Sequence, residues 1–287
     1  MNKLKVVFIG GLTNGRIVLD YLLGNIHVNV PIVLTHPIDY KVARYVKLIS
    51  PDVETDIKYN LDSISIMDDL IRINPDFIFV AGWSNILPAK LLAIPKYGTI
   101  GFHPSKLPKD RGRSVLAWQI EDGYTETALS MFYYNELPDC GDIIAQERIK
   151  IEYNDYIEDV LNKVDYATYN LMKAYFPMLR KGIAPRRKQD INKGNFRRLR
   201  SDLDSTLNWD TNHEVLYNKI RAISRPYPGS IGNLDDGKYR IWKAIPCAIP
   251  EELRSQAVGK HYRNEDSGLI MIKCRDGCLQ LLDYEQM

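Results

Sequence analysis

The apolar positions of the chain fall into short continuous runs that alternate with stretches of helical spacing. Residues 4–9 are apolar and rich in β-branched side chains, and the run stops at Gly10-Gly11. Ile17, Leu19, Tyr21, Leu22 and Leu23 follow in a helical segment. Residues 28–34 are strand-like again. A third buried strand is predicted over 77–80, behind an amphipathic helix over 64–73, and a fourth over 99–102. Short buried strands separated by helices predict an α/β fold with a mostly parallel sheet and helices on both faces. Ligands of such sheets bind beyond the carboxyl ends of the strands. Gly10, Gly82 and the segment 101–103 fall at such ends. Further strands are predicted over 128–134 and 143–151. A long helix follows over 156–179, where Ile157, Val160, Leu161, Val164, Tyr166, Leu171 and Met172 roughly keep a helical period.

The pattern changes after residue 179. Between 180 and 200 there are nine basic residues and one acidic one, with Gly182, Pro185 and Gly194 interleaved. This composition predicts a solvated linker to a second domain; the competing reading is a strip that contacts nucleic-acid phosphates. Residues 207–229 are expected to be helical and then to turn at Arg225-Pro-Tyr-Pro-Gly229. Short strands follow over 239–242, 268–274 and 279–282, separated by Asp236-Gly237 and Asp276-Gly277 turns. The expected organisation is a first domain over 1–182, a basic linker over 183–203 and a small β-rich, five-stranded barrel-like domain over 204–287.

Composition adds few constraints. The 287 residues carry a formal net charge of +2, so the molecule as a whole is not a polyanion binder by composition. The N-terminal apolar run lacks a signal-peptide pattern, and no apolar stretch approaches membrane-spanning length. Cys140, Cys247, Cys274 and Cys278 fit no zinc or disulfide framework, although Cys274 and Cys278 flank a turn-like Arg-Asp-Gly. A reducing cytoplasmic setting is expected.

Candidate chemistry concentrates in Gly101-Phe-His-Pro-Ser-Lys-Leu-Pro-Lys-Asp-Arg-Gly-Arg113, directly after a predicted strand. His103 is expected at an exposed strand end. Ser105, Lys106, Lys109, Arg111 and Arg113 supply donors within ten residues of it, and two prolines stiffen the loop. An anionic substrate with a proton-transfer step needs such a set. In Leu137-Pro-Asp-Cys-Gly-Asp142, Asp139 lies in a turn between two predicted strands. It either closes that turn or reaches back to the imidazole, setting its tautomer and supporting its basicity.

These residues resemble the signature of the 10-formyltetrahydrofolate-dependent formyltransferases, Asn-x-His-x-Ser-x-Leu-Pro-x-x-Arg-Gly followed by an Asp just before a Gly. His103, Ser105, Leu107, Pro108, Arg111 and Gly112 match in register, and Asp139 stands 36 residues after the His. Asn208-Trp209, Ile220-Arg-Ala-Ile-Ser-Arg-Pro-Tyr-Pro-Gly229 and Ile241-Trp-Lys243 are similar to the C-terminal domain of members that act on methionyl-tRNA or on a nucleotide-linked amino sugar. The resemblance implies a Rossmann-like N-terminal formyltransferase domain, His103 and Asp139 as catalytic residues, and 10-formyltetrahydrofolate as co-substrate without a metal. It implies folate binding near Trp83, Ile86, Leu87, Pro88, Leu137 and Asp139. It places the acceptor against Gly10, Gly11, Ser105, Lys109, Arg111 and Gly112. The sequence departs from the signature at the Asn, whose position here is Gly101. In the family that Asn donates to the formyl oxygen, and loss of one such donor costs about 3 kcal/mol of barrier. A backbone N–H or a water could replace it, or Asn85 or Asn135; otherwise activity is low.

Two acceptors compete. Arg197-Arg-x-x-x-Asp202 leading to Leu207-Asn-Trp209, and Arg111-Gly-Arg113 with Trp118 after it, resemble the amino-sugar enzymes. The expected function is therefore transfer of a formyl group to the amine of a nucleotide-linked sugar, with a place in lipopolysaccharide or O-antigen biosynthesis. The basic strip favours methionyl-tRNA, but Gly10-Gly-Leu-Thr-Asn14 and Arg111-Gly-Arg-Ser-Val115 differ from the tRNA enzymes' turns. A third reading is a non-catalytic binder of folate or sugar nucleotide. No membrane partner is expected; the oligomeric state is left open, with a homodimer as one option.

Overall fold

The computed structural model describes residues 3–35, 56–58, 64–264 and 268–287. It divides into two compact units. The first comprises Met1–Gly112, Ala128–Ile149 and Asn162–Phe196; the second comprises Arg113–Thr127, Lys150–Leu161 and Arg197–Met287.

The first unit is built on the predicted alternation. β1 (Leu4–Gly10) leads through α1 (Leu12–Leu23) to β2 (Val28–Asn29) and β3 (Ile32–Leu34). The single strand expected over 28–34 is thus two short ones, both parallel to β1, interrupted at Pro31, which has no N–H to give a ladder. β4 (Asp56–Lys58), α2 (Ile64–Ile73), β5 (Phe77–Ala81), α3 (Ala89–Leu92) and β6 (Thr99–His103) follow, then β7 (Arg111–Gly112), β8 (Glu126–Tyr133), β9 (Ile143–Lys150) and α5 (Ile157–Lys181); α4 (Val115–Glu121), between β7 and β8 in the chain, belongs to the second unit. The main sheet has the order β4-β3-β1-β5-β6-β8-β9, with β2 beside β1. It is parallel from β4 to β6 and turns antiparallel at β8. Val6 to Ile9 and Phe77 to Ala81 are buried without alternation, as a strand covered on both faces requires. The sheet is mostly parallel, as the sequence predicts.

α5 buries Ile157, Val160, Val164, Ala167, Leu171, Met172, Phe176 and Leu179. Tyr166, counted in the expected apolar period, is instead exposed. Phe176 packs its ring against Tyr21 of α1 and Phe79 of β5, fixing the helix on one face of the sheet.

The rest of the chain contains β10 (Phe196–Arg197), α6 (His213–Ala222), β11 (Ser230–Leu234), β12 (Gly237–Cys247), α7 (Glu251–Arg254), β13 (His261–Arg263), β14 (Ile270–Lys273) and β15 (Cys278–Gln286). The last five strands form one antiparallel sheet in the order β11-β12-β15-β14-β13. Register shifts on β12 around Lys243 bend it, so the sheet curls as a half-barrel. α6 is shorter than the helix expected over 207–229. Asn212 ends the extended segment: its side chain accepts from the N–H groups of Glu214 (2.9 Å) and Val215 (3.3 Å). Upstream, the Leu207 N–H donates to the Ile231 carbonyl at 2.7 Å, and the buried Trp209 indole donates to the Asn233 carbonyl at 2.8 Å. The apolar period of 207–212 therefore belongs to chain packed on the half-barrel. All four cysteines are free, and the cross-strand neighbour of Cys278 is Cys247, not Cys274. Among the described residues no helix is long and apolar enough to cross a membrane.

Candidate active site

β6 ends at His103, beside the antiparallel strand β8, with the pairs Gly101–Phe132 and His103–Ser130. The imidazole is buried, not exposed as expected from its strand-end position. The loop after β6 folds back over it. His103 Nε2 lies 2.8 Å from the carbonyl oxygen of Asp110. A carbonyl only accepts, so Nε2 carries the proton and Nδ1 is the nitrogen left to take another. Asp139 Oδ1 stands 3.5 Å from Nδ1. The expected reach from Asp139 to the imidazole is thus made. The tautomer, however, is set on the other side of the ring, by Asp110. The residues around Nδ1 suit a proton-accepting imidazole backed by a carboxylate.

Asp139 is itself held firmly. Its Oδ2 accepts from the Gly112 N–H at 2.8 Å, and its carbonyl accepts from Gln189 Nε2 at 3.0 Å. Its backbone is left-handed, φ +56°, a conformation that Asp and Asn tolerate better than most residues. Gln189 Nε2 also donates to the Gly141 carbonyl at 2.6 Å. Asp110, buried with φ +52°, is clamped by one residue: Asn195 Oδ1 accepts its N–H at 2.7 Å and Asn195 Nδ2 donates to its carboxylate at 2.9 Å. Gln189 and Asn195 carry no sequence signal for these roles, because Asp139 and Asp110 lie 50 and 85 residues away from them, and Asp110 meets His103 through its backbone carbonyl.

The loop between His103 and Asp110 is stiffened from within. Ser105 is fully buried; its hydroxyl donates to the Lys109 carbonyl (2.7 Å) and its carbonyl accepts from Ser130 Oγ (2.6 Å). Gln146 Nε2 donates to Ser130 Oγ (2.9 Å) and to the Leu107 carbonyl (3.0 Å), and Arg187 Nη2 donates to Gln146 Oε1 (2.7 Å). Ser105 thus ties down the loop, whereas Lys109 is exposed. Arg111 directs Nη1 to Cys140 Sγ (2.8 Å) and Nη2 to the Ile191 carbonyl (3.3 Å).

Other expected site residues lie along the same sheet. Gly10 ends β1 where a Cβ would stand 1.9 Å from the Ala81 carbonyl oxygen, so glycine here permits the close approach of two strand ends. The Gly11 N–H donates to that carbonyl at 3.2 Å. After β5, Trp83 is half-buried, Leu87 is buried in the core with Leu91, and Pro88 caps α3. Ile86 and Leu137 are exposed large apolar side chains on the loops after β5 and β8. Asn135 spends its side-chain oxygen on the Leu137 N–H at 3.1 Å. Among the described residues no group of three or more His, Cys, Asp or Glu could hold a metal ion.

Gly101 has no space for a side chain. A Cβ there would meet the Tyr134 ring, 1.9 Å from Cε2, 2.7 Å from Cδ2 and 3.0 Å from Cζ. Gly101→Asn is therefore expected to lower turnover, since forcing a side chain into a filled site costs about 1–3 kcal/mol. Steady-state kinetics beside the parent chain check this. A higher rate at unchanged folate affinity would contradict it.

Residues 4–175 match the formyl transferase family, and residues 201–287 match its C-terminal domain. The chain is 31% identical over 249 residues to the methionyl-tRNA formyltransferase of Staphylococcus aureus strain MW2, covering 84% of this chain and 79% of that relative. Among solved structures, the N-formyltransferase of Helicobacter canadensis, in complex with folinic acid and dTDP-3-aminofucose, is similar with a TM-score of 0.73 at 18% identity, covering 98% of this chain and 100% of that one. HypX of Aquifex aeolicus, in complex with tetrahydrofolic acid, gives 0.72 at 15% identity, covering 99% of this chain but only 44% of that one. The chain thus spans less than half the length of HypX. At these identities the structural likeness speaks for the fold.

Proposed function

The chain belongs to the formyl transferase family of enzymes, and on that premise we propose that it moves a formyl group from 10-formyltetrahydrofolate to the amine of a nucleotide-linked amino sugar. The acceptor amine attacks the formyl carbon as a free base, and the carbonyl electron pair moves onto oxygen. The proton released by the amine passes toward His103 Nδ1, where Asp139 Oδ1 at 3.5 Å offsets the new charge. Collapse of the tetrahedral intermediate restores the carbonyl and expels the folate nitrogen, which takes up the proton held at His103 and returns the imidazole to its neutral form. Folate fits the exposed Ile86 and Leu137 and the half-buried Trp83, the apolar lining that a pterin and its aromatic linker use. No step requires a metal.

One observation supports the choice of acceptor: most basic side chains of the segment are held by partners within the protein. Arg186 lies over the Tyr133 ring, 3.6 Å from its centroid, and Arg187 is bound to Gln146. Lys193 pairs with Asp190, Arg197 with Asp122, Arg198 with Asp204 and Arg200 with Glu121. Asp204 is held well below the usual carboxylate range, chiefly by its hydrogen bond from Arg198. Trp118 is flanked by two of these arginines, with the guanidinium carbons of Arg200 and Arg198 at 4.2 and 4.8 Å from its ring centroid, and its indole donates to the Arg198 carbonyl. Six of the nine basic side chains in 180–200 are thus held by partners, four of them carboxylates, which lowers the charge the segment can offer a phosphate backbone. The curated relatives that act on methionyl-tRNA support the other acceptor.

Salt dependence separates the two. Replacing Arg180, Lys181 and Lys188 together with alanine is expected to leave formylation of an amino-sugar nucleotide within about threefold of the parent chain, with no steep salt slope. Binding of methionyl-tRNA that weakens steeply with salt, with a slope flattened by the same substitutions, would overturn the sugar reading.

A further inference from the structure

On the formyl-transfer reading above, we infer that the Tyr134 hydroxyl is the hydrogen-bond donor to the formyl oxygen as it becomes an oxyanion, in the space where Gly101 presents no side chain. Gly101 and His103 are two residues apart on β6 and face the same side of the sheet. Their partners Phe132 and Ser130 face that side too, and Tyr134 is the next residue in the alternation. The Tyr134 N–H donates to the Thr99 carbonyl at 2.8 Å, so its ring leaves the backbone level with Thr99. It then lies over Gly101, with Cε2 at the closest approach, and its phenol comes within electrostatic reach of the Asp139 carboxylate.

The ring is fixed there. Phe132 stacks on it, with centroids 5.2 Å apart and planes 15° from parallel. No hydrogen bond ties the Tyr134 hydroxyl to another described residue. Burial, with the nearby charge of Asp139, pushes the phenol well above its ordinary pKa. The group is therefore a neutral O–H at working pH. A rigid, neutral donor on the strand face that carries the imidazole, within reach of the carboxylate that faces it, is what charge developing on a carbonyl oxygen needs. Tyr134 keeps its proton throughout. It donates a hydrogen bond while the carbonyl pair moves onto oxygen and releases it when that pair re-forms the C=O bond and the C–N bond to folate breaks.

Tyr134→Phe keeps the ring and removes only the donor. It is expected to slow single-turnover formyl transfer about a hundredfold, with folate affinity and melting temperature close to those of the parent chain. A second readout does not depend on turnover. With 10-formyl-5,8-dideazafolate carrying a ¹³C formyl group, the infrared band of the bound formyl carbonyl should move to higher frequency in Tyr134→Phe, because a hydrogen bond to its oxygen has been lost. Adding Gly101→Asn to Tyr134→Ala should recover part of the rate lost in Tyr134→Ala alone, since the amide then enters the vacated space. A parent chain that transfers no formyl group from 10-formyltetrahydrofolate sinks the formyl-transfer reading itself, and this inference with it. A parent chain that does transfer it, while Tyr134→Phe turns over within about threefold of it or leaves the carbonyl band unmoved, sinks this inference alone.

Discussion

His103→Ala is expected to lower single-turnover formyl transfer by about a thousandfold, or about 4 kcal/mol of barrier. The imidazole is the side chain that the β6 end places between the Asp110 carbonyl and the Asp139 carboxylate. Its removal takes away the proton acceptor and leaves both flanking groups without it. Because His103 is buried, the substitution also costs stability. The Asp110 carbonyl loses its partner, at about 1–3 kcal/mol for a buried acceptor. A thermal melt must therefore accompany the kinetics. His103→Gln, whose side-chain amide can still donate to that carbonyl, should recover much of the stability and none of the rate. A fall of less than tenfold for both variants would remove His103 from the chemistry.

Asp139→Asn is the second large effect expected. Asparagine tolerates the left-handed backbone at this position and keeps an oxygen for the Gly112 N–H. The substitution thus removes the charge and little else. Without that charge, a proton on His103 Nδ1 has no counter-ion 3.5 Å away. Turnover should fall about a hundredfold, with the acceptor KM changed less than about threefold. A rise in KM at unchanged kcat would make Asp139 a residue that shapes the pocket.

The parts of this account that were legible in the sequence are those with short-range signals. α2 spans the residues its amphipathic pattern predicts, and β6 ends at the imidazole because the apolar run gives way there to the polar loop. The approach of Asp139 to His103 was anticipated by the resemblance to the formyltransferase signature; on its own residues the Pro-Asp-x-Gly stretch reads equally as a turn. What was not legible depends on chain brought back from far away. Asp110 acts through its carbonyl, a group every residue has, so nothing in its side chain announces the role. Asn195 and Gln189 lie in a segment whose composition reads as linker, yet they hold Asp110 and Asp139 in place. Ser105 looked like a ligand-facing hydroxyl because of its position in the loop, but burial turns it inward to the Lys109 carbonyl. The extent of helix 207–229 was misjudged for a related reason. Leu207 and Trp209 keep an apolar period but make their bonds with β11. Gly101 read as a missing residue; with Tyr134 in place it is a position that must stay empty.

The most direct measurement is the fate of the formyl group itself. The purified chain would be given 10-formyltetrahydrofolate with a ¹³C-labelled formyl carbon, together with a dTDP-linked amino sugar and methionyl-tRNA in the same vessel at physiological salt. The products would be separated and analysed by mass. The account predicts that the label appears as an N-formyl group on the sugar nucleotide, and that it fails to appear with His103→Ala. Label on methionyl-tRNA, or on neither amine while the folate stays formylated, would contradict it.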